Sequence, residues 1–140
     1  MSDLKQMTTD IAALPTEAFE WGTLTWLCNA KLSPGARQTV GLCHIHPGRG
    51  NPVHYHPNCE EVLHMLSGRG QHSFDGESIE LRAGMTIRIP SGVKHNMTNA
   101  GDEPITCLIT FNSGERETVF LTREGGTSSL RAPAHQFHIH

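Results

Sequence analysis

Several features that would narrow the function at once are missing from this 140-residue chain. It has no basic run of the kind that binds phosphates, and its formal charge is -3 with His neutral, so nucleic acid is not an expected partner. No apolar run approaches the roughly 18 residues that a membrane span needs, so no membrane is expected either. The first residues, MSDLKQMTTDIAALPTE, have neither the basic start nor the apolar block of a secretion signal. The expected compartment is therefore the cytoplasm. The Cys residues, Cys28, Cys43, Cys59 and Cys107, form no CxxC pair. In a reducing compartment they are expected to be small, mostly buried apolar side chains. There is no internal repeat and no convincing long helical pattern.

What remains is enough for one ordered domain. Charged residues make up 18% and hydrophobic ones 36%, which argues against disorder over most of the length. From Trp21 onward the text reads as short strands broken by turn residues. WGTLTWLCNAKL stops at Pro34-Gly35, QTVGLCHI at Pro47-Gly48, and GQHSF at Asp75-Gly76, a hairpin signal. SIEL, MTIRI, HNMTN, ITCLITF and ETVFLT follow, each closed by a turn. About nine or ten strands at such spacing predict an all-β antiparallel sandwich or barrel. We expect an N-terminal arm over residues 1–20, with Ile11 and Leu14 spaced for a short helix. The barrel domain is expected over 21–122 and a Ser/Pro/His-rich tail over 123–140, in which His138 and His140 are incidental.

The abundant residue is His, ten in all, which directs attention to metal or proton chemistry. His54 and His56 are two apart in a strand-like stretch, so both imidazoles point to one face. A carboxylate from the next strand, Glu60 or Glu61, can meet them after a short turn, and two imidazoles with a carboxylate make a good divalent set. On residues alone, two His on one strand face that are solvated, or satisfied by carbonyls, remain the alternative.

Two longer patterns extend this reading. Residues 48–68 read G-x5-H-x-H-x4-E-x6-G, through Gly48, His54, His56, Glu61 and Gly68. Residues 84–99 read G-x5-P-x-G-x2-H-x3-N, through Gly84, Pro90, Gly92, His95 and Asn99. Together they resemble the two motifs of the cupin superfamily, in order and complete. The resemblance covers at least residues 40–112. It implies a small double-stranded antiparallel, jelly-roll-like barrel with one metal ion inside its mouth, held by His54, His56, Glu61 and His95. Asn99 is implied as a structural position. Glu61 is preferred to Glu60 because it keeps the spacing to Gly68.

Strand alternation from Glu61 then turns Leu63 and Met65 inward, and Val62, His64 and Leu66 outward. The parity of His44, His46 and His72 is not fixed by the sequence, nor whether Cys59 reaches the metal. On the strand 105–111, either the Ile105/Cys107/Ile109/Phe111 face or the Thr106/Leu108/Thr110 face lines the cavity. The wall is expected to be mostly apolar, with no Arg or Lys cluster.

Three imidazoles and a carboxylate suit one divalent ion, with Fe or Mn favoured and Ni, Co or Zn compatible. The expected activity is an Fe(II)- or Mn(II)-dependent dioxygenase acting on a small chelating diketone or dihydroxylated compound. The alternatives are a metal-dependent isomerase, epimerase or lyase, for which a wall His would speak, and a non-catalytic module that senses a ligand or metal. The layout of residues 25–57 is also similar to small cupin lyases that cleave dimethylsulfoniopropionate. Those place a Tyr base where this chain has Leu63, so that activity is not expected. The partner expected beside a small molecule is a second copy, as a homodimer, with the strand near Trp21–Leu27 and its Trp26 lying on the other copy's sheet.

Overall fold

The computed structural model describes residues 3–121 and the strand Thr127–Arg131. The tail residues His138 and His140 lie outside that description. Twelve strands are found among the described residues and no α-helix. They are β1 (Glu17–Ala18), β2 (Gly22–Cys28), β3 (Thr39–Ile45), β4 (His54–Tyr55), β5 (Glu61–Ser67) and β6 (Arg69–Phe74). β7 (Glu77–Arg82), β8 (Thr86–Ile89), β9 (His95–Thr98), β10 (Ile105–Phe111), β11 (Glu117–Leu121) and β12 (Thr127–Arg131) follow. Every pairing is antiparallel, in two six-stranded sheets ordered β1-β2-β3-β10-β5-β8 and β12-β11-β4-β9-β6-β7. This is the expected all-β jelly roll, built as two facing sheets. No helix among the described residues is long and apolar enough to cross a membrane.

Alternation explains most of the packing. In β3 and β10 every second residue is buried, which puts Cys43, Ile45, Ile105, Cys107, Ile109 and Phe111 between the sheets. The open choice on the strand 105–111 is thereby decided for the odd-numbered face. β5 follows the expected phase: Leu63 and Met65 are buried, while Val62 and Leu66 are exposed. The Asp75-Gly76 turn links β6 to β7 with Phe74 opposite Glu77, the two-residue hairpin expected there. Gly68 joins β5 to β6 at φ +84°, and a Cβ there would lie 2.6 Å from the Pro104 carbonyl oxygen. Only glycine fits that junction without strain.

Three expectations are corrected. The helix foreseen at Ile11 and Leu14 is a single 3-10 turn, Ile11–Ala13, and Ile11 is exposed. Strands β1 and β12 fall where the sequence shows none, because a two-residue strand has no alternation to read and Thr-Ser-Ser-Leu-Arg is too polar to show it. In the stretch Trp21–Leu27, β1 pairs with Thr23 and Leu24 of β2, and Trp26, foreseen as a contact with a second copy, packs inward with its ring 6.3 Å from that of Phe111.

Asn99 is 1% exposed and works on the backbone alone. Its amide donates to the carbonyls of Ile45 and Glu103, and its Oδ1 accepts from the Gly101 N–H. That satisfies buried backbone groups where the chain leaves β9.

Candidate metal centre

Three His from one sheet and one Glu from the other meet between the sheets. His54 lies on β4 in register with His95, the first residue of β9. His56 follows two residues on, with its ring 5.0 Å from that of His54. Glu61 opens β5, in register with Ile89 and Phe111, the last residues of β8 and β10. The two motifs are tied together here: the Gly92 N–H and the Ser91 hydroxyl both donate to the His56 carbonyl. One donor atom from each of His54, His56, Glu61 and His95 lies within 4.8 Å of the other three. Glu60 points elsewhere and takes the Arg88 guanidinium at 2.9 Å. The cluster could therefore hold a metal ion.

The hydrogen bonds show how well it is prepared for one. Nδ1 of His54 is 2.7 Å from the Pro52 carbonyl, Nδ1 of His56 2.9 Å from that of Glu117, and Nδ1 of His95 2.8 Å from that of Val93. A carbonyl can only accept, so each Nδ1 carries the proton and donates. Each Nε2 of a neutral ring is then a bare lone pair. Those lone pairs converge on a carboxylate: Oε1 of Glu61 is 3.1 Å from Nε2 of His95 and 3.4 Å from Nε2 of His56. Nε2 of His56 is buried and has no hydrogen-bond partner. Lone pairs aimed at an anion repel unless a proton or a cation stands among them. The donor set thus fits a divalent ion, and backbone carbonyls on Nδ1 are the usual way of orienting such ligands.

The protonation equilibria agree. Burial, then the neighbouring His95 and His56, hold His54 well below its ordinary pKa, and burial lowers His56. Burial by itself would lift Glu61, yet the close imidazoles of His56 and His95 keep it well below the carboxylate range. Burial opposes the charge on His95, but the Glu61 carboxylate outweighs it and raises the pKa.

A cavity opens beside these four residues. Leu63, Met97, Ile109, Phe111 and Phe120 supply its apolar wall. Of the residues whose parity was open, His44 faces outward and bonds Thr106 Oγ1, His46 is exposed, and His72 turns in. The His72 ring lies 5.6 Å from that of His95 and nearly parallel to it. Burial, with the charge of His95, brings its pKa down to about 4, and its Nδ1 is buried without a hydrogen-bond partner. Cys59 is buried but outside the metal cluster, and burial raises its thiol to about 11.

The wall is mostly apolar and has no Arg or Lys cluster, as expected, but sequence reasoning missed one residue of it. It carries Arg116, a cation 6% exposed, whose guanidinium lies 4.2 Å from the Trp26 ring centre. The strand read from the sequence began at Glu117, so Arg116 counted as turn. In the structure Arg116, Thr118 and Phe120 share one face and all line the cavity. That period of two is the signal that could have found it.

A family model described as the cupin domain matches residues 41–111. Among curated relatives, the polyketide synthase CurC of Streptomyces cyaneus is 29% identical over 103 residues, 74% of this chain and 67% of that protein. The protein SchB of Streptomyces halstedii is 33% identical over 75 residues, 54% of this chain and 53% of its own length. Among solved structures, the formate complex of oxalate decarboxylase from Lactobacillus farciminis superposes with a TM-score of 0.73 at 25% identity. That match covers 79% of this chain and 34% of the decarboxylase. The chain thus spans about half of SchB and about a third of the decarboxylase.

Proposed function

The chain belongs to the cupin family, and from that premise we propose that it holds one divalent metal ion through Nε2 of His54, His56 and His95 and an oxygen of Glu61, and acts as an enzyme on a small molecule that chelates through oxygen. The observation that carries this reading is the set of three Nδ1–carbonyl bonds, which turns three lone pairs onto one carboxylate. No thiolate enters the set, so Fe(II) or Mn(II) is favoured, with Ni, Co or Zn also compatible. Such an ion supplies Lewis-acid polarisation or a place for O₂.

The protein's own contribution is position and exclusion of water. Backbone carbonyls hold the rings, while Leu63, Ile109, Phe111 and Phe120 keep one side of the ligand dry. This supports oxidative cleavage of a small diketone or dihydroxylated compound as the first reading. The test loads metal-free protein anaerobically with Fe(II), Mn(II), Ni(II) or Zn(II), then follows O₂ uptake and products. Uptake with Fe(II) or Mn(II) and a chelating substrate is the expected result.

A second reading, isomerisation or elimination, is supported by His72. Its buried, unpartnered Nδ1 is a wall group able to take part in a proton transfer. Product formation without O₂ uptake selects it. Metal and ligand bound without turnover would leave a binding module. We also propose a homodimer in the cytoplasm, joined through the strand near Trp21–Leu27 or through a sheet edge such as β7 or β8. A concentration-independent monomer mass in solution scattering would contradict it.

A further inference from the structure

Arg116 is buried in the cavity wall, and among the described residues no carboxylate is paired with it. It is 6% exposed, and its faces lie against Trp26 at 4.2 Å and Phe111 at 5.5 Å. Both rings present their negative π faces to the cation. The guanidinium has five N–H donors in one plane. Among the described residues its hydrogen bond goes to Thr118 Oγ1, at 2.8 Å, and no carboxylate oxygen comes within ion-pair distance. Glu61 and Glu17 attract it through space. A buried cation of this kind calls for an anion, and a planar fork matches a carboxylate.

The position of Arg116 connects it to the metal centre. Thr118, which holds the guanidinium, sits 3.2 Å from Nδ1 of His56, and both residues line the same cavity as His54, Glu61 and His95. With a divalent ion in place, Glu61 cancels one of its two charges, and Arg116 adds another positive charge nearby. Glu17 offsets part of this from a distance. The cavity is then electropositive and dry on its other walls, a setting in which a neutral ligand leaves guanidinium donors unmet.

Resting on the metal-binding reading above, we propose that Arg116 is the specificity residue of the site: the ligand is a small chelator that carries a carboxylate, of the 2-oxo or 2-hydroxy acid class, and the carboxylate is recognised by the Arg116 fork. Among small chelators, diketones and dihydroxylated compounds included, those that carry a carboxylate are then preferred to neutral ones. Trp26 and Thr118 are positioning residues, holding the plane and one corner of the guanidinium.

The test compares pyruvate with pyruvamide, which has nearly the same shape and two vicinal oxygens but no charge. Protein loaded with diamagnetic Zn(II) is titrated with each by calorimetry. Wild type is expected to favour pyruvate by about tenfold or more, and Arg116→Gln to bring the two within about twofold while retaining its metal. Equal affinities in wild type, or an unchanged preference in Arg116→Gln, overturn the proposal. Should Arg116→Gln fail to fold, wild-type protein labelled with 15N-arginine answers instead, with Arg116→Lys used to assign the resonance. A shift of the Arg116 Nε–Hε signal with pyruvate and not with pyruvamide supports the proposal, and no shift with pyruvate overturns it. If the protein takes up no Zn(II), the metal reading fails by itself. Arg116 is then tested in metal-free protein, where pyruvate binding that disappears in Arg116→Gln supports the inference and its absence in wild type overturns it.

Discussion

His54, His56 and His95 do two jobs each. One nitrogen satisfies a carbonyl, and the other faces the carboxylate of Glu61. Replacing any of them with Ala is expected to lower metal content sharply, measured by elemental analysis of untagged protein. Glu60→Ala should leave it unchanged, since the Glu60 carboxylate is held by Arg88 outside the metal cluster. Full metal in His95→Ala would remove His95 from the ligand set. The same substitutions also leave a carbonyl without its donor, a cost of about 1–3 kcal/mol where that group is buried. Metal content is therefore a cleaner readout than stability. Away from the site, Met65 is 0% exposed at the centre of the core. Met65→Ala should cost about 2–5 kcal/mol in urea unfolding and leave metal binding intact.

Strands here carry single residues to the site from their first positions: Glu61 opens β5 and His95 opens β9. The turns just before and after them therefore set the geometry. Gly68 and Gly84 separate two ways in which a turn glycine is required. Both have positive φ, +84° and +93°. At Gly68 an added Cβ also meets the Pro104 carbonyl at 2.6 Å, whereas at Gly84 nothing lies within 4 Å. Gly84→Ala should cost only backbone strain, about 1 kcal/mol, and Gly68→Ala clearly more, about 2–3 kcal/mol. Chemical denaturation of both variants checks the order, and a larger loss at Gly84 would contradict the close approach seen at Gly68.

At the scale of the molecule, the metal cluster joins the two sheets. His54, His56 and His95 come from the sheet containing β4 and β9, and Glu61 from the sheet containing β5. An ion bound there links the sheets and is absent from the unfolded chain, so its binding adds to folding stability. At free metal 100-fold above the dissociation constant the gain is about 2.7 kcal/mol, which raises the thermal midpoint by several degrees. Calorimetric scans with Mn(II) and with a chelator should show that difference in wild type and lose it in His95→Ala. An equal shift in both proteins would place the metal elsewhere.

Much of this was legible in the chain. Period-two alternation and closely spaced turn residues determined an all-β fold, the inward phase of Leu63 and Met65, and the spacing that puts His54 and His56 on one face. The two motifs singled out Glu61 over Glu60 and added His95, and the structure brings these four residues together. Local text could do this because strand alternation and turn chemistry are short-range. Tertiary structure decided what depends on distant pairing. The short strand β1 exists only against β2, which it pairs at Thr23 and Leu24. His44 and His72 both sit in strand-like text, yet one meets Thr106 outside and the other stacks on His95 inside, because turns reset the phase between strands. Arg116 becomes a cavity residue only when β11 lies beside β4 and when Trp26 and Phe111, from the other sheet, come over its faces. A lone Arg next to a turn reads as solvated surface, and only the packing of the two sheets takes it out of water.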